Sequence, residues 1–290
     1  MEADATPHGL RTQYFAGSQN LRLTADVGGP INGTPVMLLH GGGQTRHSWR
    51  SAATALMARG YRVICPDCRG HGDSERSPTG DYSTDSLIAD LKQIISTLSR
   101  PPVLVGASLG GSTALLMTGE SDSPIAEALV LVDIVPRMSP SGIQHIRSFM
   151  QNTLAGFDSL EEAAEAVSRF IPNRPKPSSF EGLARNLNRA TDGRLYWHWD
   201  PRFLQDDSRS PNPQFAQRME SAARKVKVPT LLVRGRESEV VSLAQAQALL
   251  DLIPHADLTN VSGAGHMVAG DRNDAFNNAV LRFISQALSQ

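Results

Sequence analysis

Short apolar runs bounded by turn residues recur along the chain, with stretches of helical periodicity between them. Two early runs, Thr12 to Phe15 and Leu21 to Val27, read as strands, and further strands are expected near Val36, Tyr61, Val103, Ala128, Thr230 and Ala256. Between them, Ser48 to Ala58, Thr84 to Leu98, Gly110 to Gly119, Leu243 to Leu252 and Asp274 to Leu288 carry helical spacing. Regular alternation of this kind predicts an α/β protein: a mostly parallel twisted sheet flanked by helices, with ligands outside the carboxyl ends of the strands.

The alternation lapses over residues 137–227. That stretch has helical segments at Ser141 to Met150 and Leu160 to Phe170, proline-rich breaks at Pro172 to Pro177 and Pro211 to Pro213, and the cluster Tyr196-Trp197-His198-Trp199. It is expected to be a mostly helical cap inserted into a core made of residues 1–136 and 228–290. Trp197 and Trp199 could line an apolar substrate pocket or fill the cap's own core. Glu161, Glu162 and Glu165 read as a solvated helix face.

Chemistry enters at Ser108, within Gly106-Ala107-Ser108-Leu109-Gly110, directly after the apolar run Val103-Leu104-Val105 and before a helical pattern. A strand, then Gly-x-Ser-x-Gly, then a helix is the setting of a nucleophile elbow. The glycines let strand and helix approach closely, and the helix N-terminus offers unpaired N–H groups to a developing oxyanion. A serine hydroxyl needs a base, and the base an orienting acid. His266, on Ser262-Gly263-Ala264-Gly265-His266-Met267, is the candidate base. His8, His47, His145, His198 and His255 have blander readings as terminal, helical, surface or aromatic-cluster positions. The acid is sought after the strand Pro229 to Gly235, where Glu237 and Glu239 stand, with Asp133 at the end of the strand Ala128 to Val132 as a further candidate.

Two more loops follow strands: His40-Gly41-Gly42-Gly43 and Asp67-Cys68-Arg69-Gly70-His71-Gly72-Asp73-Ser74. Together with the elbow and the late histidine, in this order, they resemble the α/β-hydrolase superfamily over nearly the whole chain. The resemblance implies a Ser-acid-His triad in which Glu239 stands where close members carry Asp; Asp133 and Glu237 remain alternatives. It also implies an oxyanion hole from the N–H groups of Gly42 and Leu109, with His40 in a structural hydrogen-bonding role. The charged residues of the second loop would brace it beside the site, with no chemistry assigned to His71 or Asp73. Activity is expected to rise with pH through the ordinary imidazole range, about 6.5.

Composition is consistent with this class. The 290 residues are 40% hydrophobic, enough for a large core, and a formal net charge of -1 gives no electrostatic case for nucleic acid or an anionic membrane. No signal-like or membrane-spanning apolar run is present, so a cytoplasmic location and a small-molecule substrate are expected, with oligomeric state open. Cys65 and Cys68 form a lone Cys-x-x-Cys that lacks a second ligand pair, so neither metal nor redox function is expected. The glycine loops lack phosphate-loop and dinucleotide fingerprints, and no cofactor is implied. The expected activity is hydrolysis of a carboxylic ester of a small or medium apolar substrate through an acyl-enzyme. Lactone hydrolysis, carbon–carbon cleavage of diketones and a non-catalytic receptor role are the alternatives.

Overall fold

The computed structural model describes residues 9–171, 180–206, 211–271 and 273–289. His8 and the break Pro172 to Pro177 lie outside the described residues. Ten strands occur among them: β1 (Arg11–Ala16), β2 (Arg22–Gly28), β3 (Pro35–Leu39), β4 (Arg62–Pro66), β5 (Val103–Ala107), β6 (Ala128–Val132), β7 (Leu187–Arg189), β8 (Leu195–Trp197), β9 (Thr230–Gly235) and β10 (Ala256–Val261). The helices are α1 (Arg50–Met57), α2 (Thr84–Ser96), α3 (Leu109–Glu120), α4 (Pro140–Asn152), α5 (Leu160–Phe170), α6 (Glu181–Ala184), α7 (Pro213–Ala223), α8 (Leu243–Leu252), α9 (Val268–Asp271) and α10 (Asn273–Ala287).

Eight strands form one sheet in the order β1-β2-β4-β3-β5-β6-β9-β10, parallel from β4 to β10, with β1 and β2 antiparallel at one edge. The central strands are apolar at every position because both faces are covered. Alternate side chains divide between two cores. Val36, Leu38, Val103, Val105 and Val130 face α1 and α10, whereas Met37, Leu39, Leu104, Leu129 and Leu131 face α3, α7 and α8. Because α3 lies between the sheet, α2 and α7, it is buried nearly all round. The strands of the parallel set therefore release their following loops at one rim, and those loops carry every candidate catalytic residue.

Between β6 and β9 the described chain forms α4 to α6, a small hairpin of β7 and β8, and a 3₁₀ turn at Pro201–Gln205 before α7. The hairpin adds strand structure to a segment expected to be helical. In addition, α7 at the end of this segment packs on α3, and its Phe215, Met219, Ala222 and Ala223 join the main core. The prolines taken as a break at Pro211 to Pro213 instead start this helix. Pro213 opens it, where its missing N–H costs nothing, and Asn212 caps it by accepting from the N–H groups of Gln214 and Phe215.

Candidate active site

Ser108 closes the sharp turn between β5 and α3 with φ 45° and ψ -109°, outside the regions a non-glycine residue ordinarily adopts. Its flanking glycines are sterically required. A Cβ on Gly106 would lie 2.5 Å from the carbonyl oxygen of Gly110, and one on Gly110 would lie 2.4 Å from that of Leu39. The turn is held by Ser112, whose N–H donates to the Ser108 carbonyl at 2.8 Å, and by Gly110, whose N–H donates to the His40 carbonyl at 3.1 Å.

Asp133 ends β6, also at positive φ (49°), and is fully buried. Non-glycine residues rarely persist there unless their surroundings over-determine them, and such sites cluster at functional positions. Its carboxylate accepts three hydrogen bonds: from His266 Nδ1 at 2.8 Å, the Ser238 hydroxyl at 2.5 Å and the Gly235 N–H at 3.1 Å. With the His266 proton on Nδ1 facing the carboxylate, Nε2 is left as a lone-pair acceptor.

The loop after β3 is pinned peptide by peptide. Gly41 donates its N–H to Gln44 Oε1 (3.0 Å), while its carbonyl accepts from Gln44 N–H (3.1 Å) and His40 Nδ1 (2.8 Å). His40 Nε2 accepts the Cys68 N–H at 2.9 Å, which fixes the proton on Nδ1. Gly43 N–H donates to His71 Nε2 at 3.1 Å. Among the described residues the N–H of Gly42 has no protein acceptor, and that of Leu109, in the first turn of α3, has none within its helix.

A family model described as the alpha/beta hydrolase fold matches residues 34–272, spanning the elbow, both glycine loops and His266. The chain belongs to the alpha/beta hydrolase fold family. It is 29% identical over 258 residues to the sn-1-specific diacylglycerol lipase ABHD11 of Mus musculus, covering 86% of this chain and 80% of that one. It is 27% identical over 274 residues to the 2-hydroxy-6-oxo-6-(2'-aminophenyl)hexa-2,4-dienoic acid hydrolase of Metapseudomonas resinovorans, covering 88% and 85%. The solved structure of an alpha/beta hydrolase from Novosphingobium aromaticivorans superposes with a TM-score of 0.80 at 23% identity, covering 96% of this chain and 98% of that chain. Relatives and structural neighbours include lipases and esterases, enzymes that act on ester bonds.

In this alpha/beta hydrolase the acid expected from the sequence, Glu239, is not the residue brought to His266. Glu239 is exposed, whereas its neighbour Ser238 turns inward and donates to Asp133. The physical reason is reach. Asp133 leaves the end of β6 beside β9, so its short side chain meets the imidazole directly while the loop after β9 supplies the Ser238 hydroxyl and Gly235 N–H. Glu237 faces solvent and accepts the N–H groups of Gly263 (3.1 Å) and Ala264 (2.8 Å), bracing the loop that carries His266. Ser238 has no role in the sequence reading, although it stands where the resembled pattern carries the serine of a Ser-Asp pair.

The two tryptophans part company. Trp199 is 2% exposed, and its Nε1 lies 3.8 Å from where a Cβ on Gly43 would stand. Phe203 presses on Gly42, with ring carbons 3.2 and 3.3 Å from the corresponding point. Trp197 instead donates its N–H to Thr153 at 2.9 Å and meets Phe157 edge-on, within the segment between β6 and β9.

The Asp67 to Ser74 loop is a structural brace. Asp67 accepts the Arg46 N–H (2.7 Å), a guanidinium N–H of Arg46 and the Asp73 N–H (3.0 Å). Arg69, fully buried, forks onto Asp90 with two contacts of 2.7 Å. Neither Cys65 nor Cys68 is in a disulfide, and burial pushes the Cys65 thiol well up. Among the described residues no group of three or more His, Cys, Asp or Glu side chains is arranged to hold a metal ion, and no helix is long and apolar enough to cross a membrane.

The segment between β6 and β9 docks on this brace through His198, whose Nδ1 accepts the Gly72 N–H at 2.6 Å, and through Asp200, which accepts the Tyr82 hydroxyl at 2.6 Å. Burial depresses the His198 imidazole to about 3. In the unfolded chain it titrates near about 6.5, so between these values the unfolded state binds more protons and stability falls as pH falls. The expected result is a melting temperature that declines on acidification below about pH 6.5, with a shallower decline in His198→Asn, which cannot titrate. Parallel pH–Tm curves for the two proteins would contradict this.

Proposed function

We propose that the protein is a serine hydrolase that cleaves a carboxylic ester of a small or medium apolar substrate through an acyl-enzyme. The observation that carries this reading is the hydrogen bond from His266 Nδ1 to the buried Asp133, in a chain whose strained Ser108 occupies the elbow of the same rim. Ser108 Oγ attacks the carbonyl carbon as His266 Nε2 takes its proton. The negative charge that develops on the carbonyl oxygen is met by the N–H groups of Gly42 and Leu109. The imidazolium then protonates the leaving alkoxide, and water, activated by the same imidazole, releases the acid and restores Ser108. Asp133 holds the tautomer and stabilises the imidazolium throughout.

Residues 137–227 are read as the insertion that roofs this rim, with α7 as its return to the core. Trp199, Phe203, Leu109 and Met150 supply an apolar wall beside the oxyanion loop, which supports an apolar group on the substrate. The deciding experiment is turnover of chromogenic esters of graded acyl length alongside lactones and a diketone. Preferred cleavage of esters supports the reading; exclusive cleavage of the diketone or a lactone replaces it, and stoichiometric acylation without turnover indicates a receptor. Within that panel, Trp199→Ala should shift the relative kcat/KM toward bulkier acyl chains, and Trp197→Ala should leave the preference intact while lowering Tm. The reverse pattern would place Trp197 at the substrate.

A further inference from the structure

Gln44 sits between the two loops that the proposed chemistry requires. Its side chain accepts the Gly41 N–H through Oε1 at 3.0 Å and donates through Nε2 to the sulfur of Met267, the residue after His266, also at 3.0 Å. Its backbone N–H holds the Gly41 carbonyl. In a planar trans peptide the carbonyl of Gly41 and the N–H of Gly42 point in opposite directions, so holding one aims the other. A Cβ on Gly41 would lie 3.2 Å from Gln44 Oε1 and 3.5 Å from Ser108 Cβ, so Gly41 sits between the amide and the nucleophile.

A terminal group that carries both an acceptor and a donor is needed to make both contacts, and the glutamine amide supplies the pair without a change of protonation. The sulfur is a weak acceptor, so that contact fixes direction more than it stabilises.

We infer that Gln44 is a positioning residue: its side-chain amide ties the Gly41 N–H, one peptide before the Gly42 N–H, to the loop bearing His266, while its backbone N–H holds the carbonyl of the peptide that bears the Gly42 N–H, so that oxyanion donor and base are held in one frame. This rests on the serine hydrolase reading. A misaimed donor weakens only the interaction made in the transition state, so its loss lowers kcat while leaving KM in place.

The test uses the full chain with the chromogenic ester it turns over fastest. An alkyl boronic acid, which forms a tetrahedral adduct on the serine, serves as transition-state mimic, and a fluorophosphonate labels Ser108. In Gln44→Met, which keeps length and burial, kcat should fall by roughly 10- to 100-fold, short of the loss seen when an oxyanion donor is removed outright. KM should stay within about threefold, and the boronic acid should weaken by the same factor as kcat. Met267→Leu, which removes only the sulfur acceptor, should show a smaller loss of the same kind. Unchanged kcat in Gln44→Met, or a fall in kcat with undiminished boronic acid affinity, overturns the inference while labelled, active wild type leaves the hydrolase reading standing. Wild type that is neither labelled at Ser108 nor active overturns both. If Gln44→Met does not fold, Gln44→Ala read by the same kcat and boronic acid ratios decides.

Discussion

Asp133→Asn is expected to lower kcat by roughly 10³- to 10⁴-fold, with Glu239→Gln within about twofold of wild type. The amide preserves shape but presents an N–H group or an uncharged oxygen to His266 Nδ1. The imidazole is then driven toward the tautomer with its proton on Nε2, where it cannot accept from Ser108, and the imidazolium loses its counter-charge. The buried carboxylate has no substitute nearby: Ser238 and Gly235 are both donors to it. Steady-state kinetics with one ester on the two variants is sufficient. A crippled Glu239→Gln beside an active Asp133→Asn would return the acid to the loop after β9.

Ser108→Ala is expected to cost about 10⁶-fold in kcat, comparable to the loss when the nucleophile is removed in a serine protease. Fluorophosphonate labelling should disappear with it. Thermal unfolding should stay near that of wild type, since the alanine keeps the backbone and the packing of the turn. Residual labelling at another residue, or retained turnover, would remove Ser108 from the mechanism.

Much of the molecule was legible in its sequence because the signals were local. The limits of α5 and α8 agree with their helical patterns, since Ser159 and Ser242 cap them and, in α8, Gln245 completes a capping box. The central strands stood out because both faces are buried, giving continuous apolar runs. The elbow and the two glycine loops are contiguous motifs, so each could be matched to the superfamily's pattern within a few residues and in its strand context. The acid was not legible in this way. Its identity depends on which strand end lies beside the histidine loop, a three-dimensional relation in which Asp133 and Glu239 are more than a hundred residues apart in sequence yet serve adjacent strands. The β7–β8 hairpin escaped because its strands are only three residues each, and α7 because its opening proline was taken for a break.

Two of the positive-φ residues, Ser108 and Asp133, bear on how this fold ages under selection. Ser108 and Asp133 each hold a backbone shape that costs on the order of 1–3 kcal/mol for a side-chain-bearing residue and almost nothing for glycine. Heat tolerance and turnover therefore compete at Ser108, whereas at Asp133 the three hydrogen bonds its buried carboxylate accepts offset the strain. On the serine hydrolase reading, a lineage freed from the demand for turnover, and kept only for surviving warm conditions or for holding a ligand, gains by discarding the nucleophile first. In this architecture the most durable descendant is then one whose elbow serine has given way to glycine.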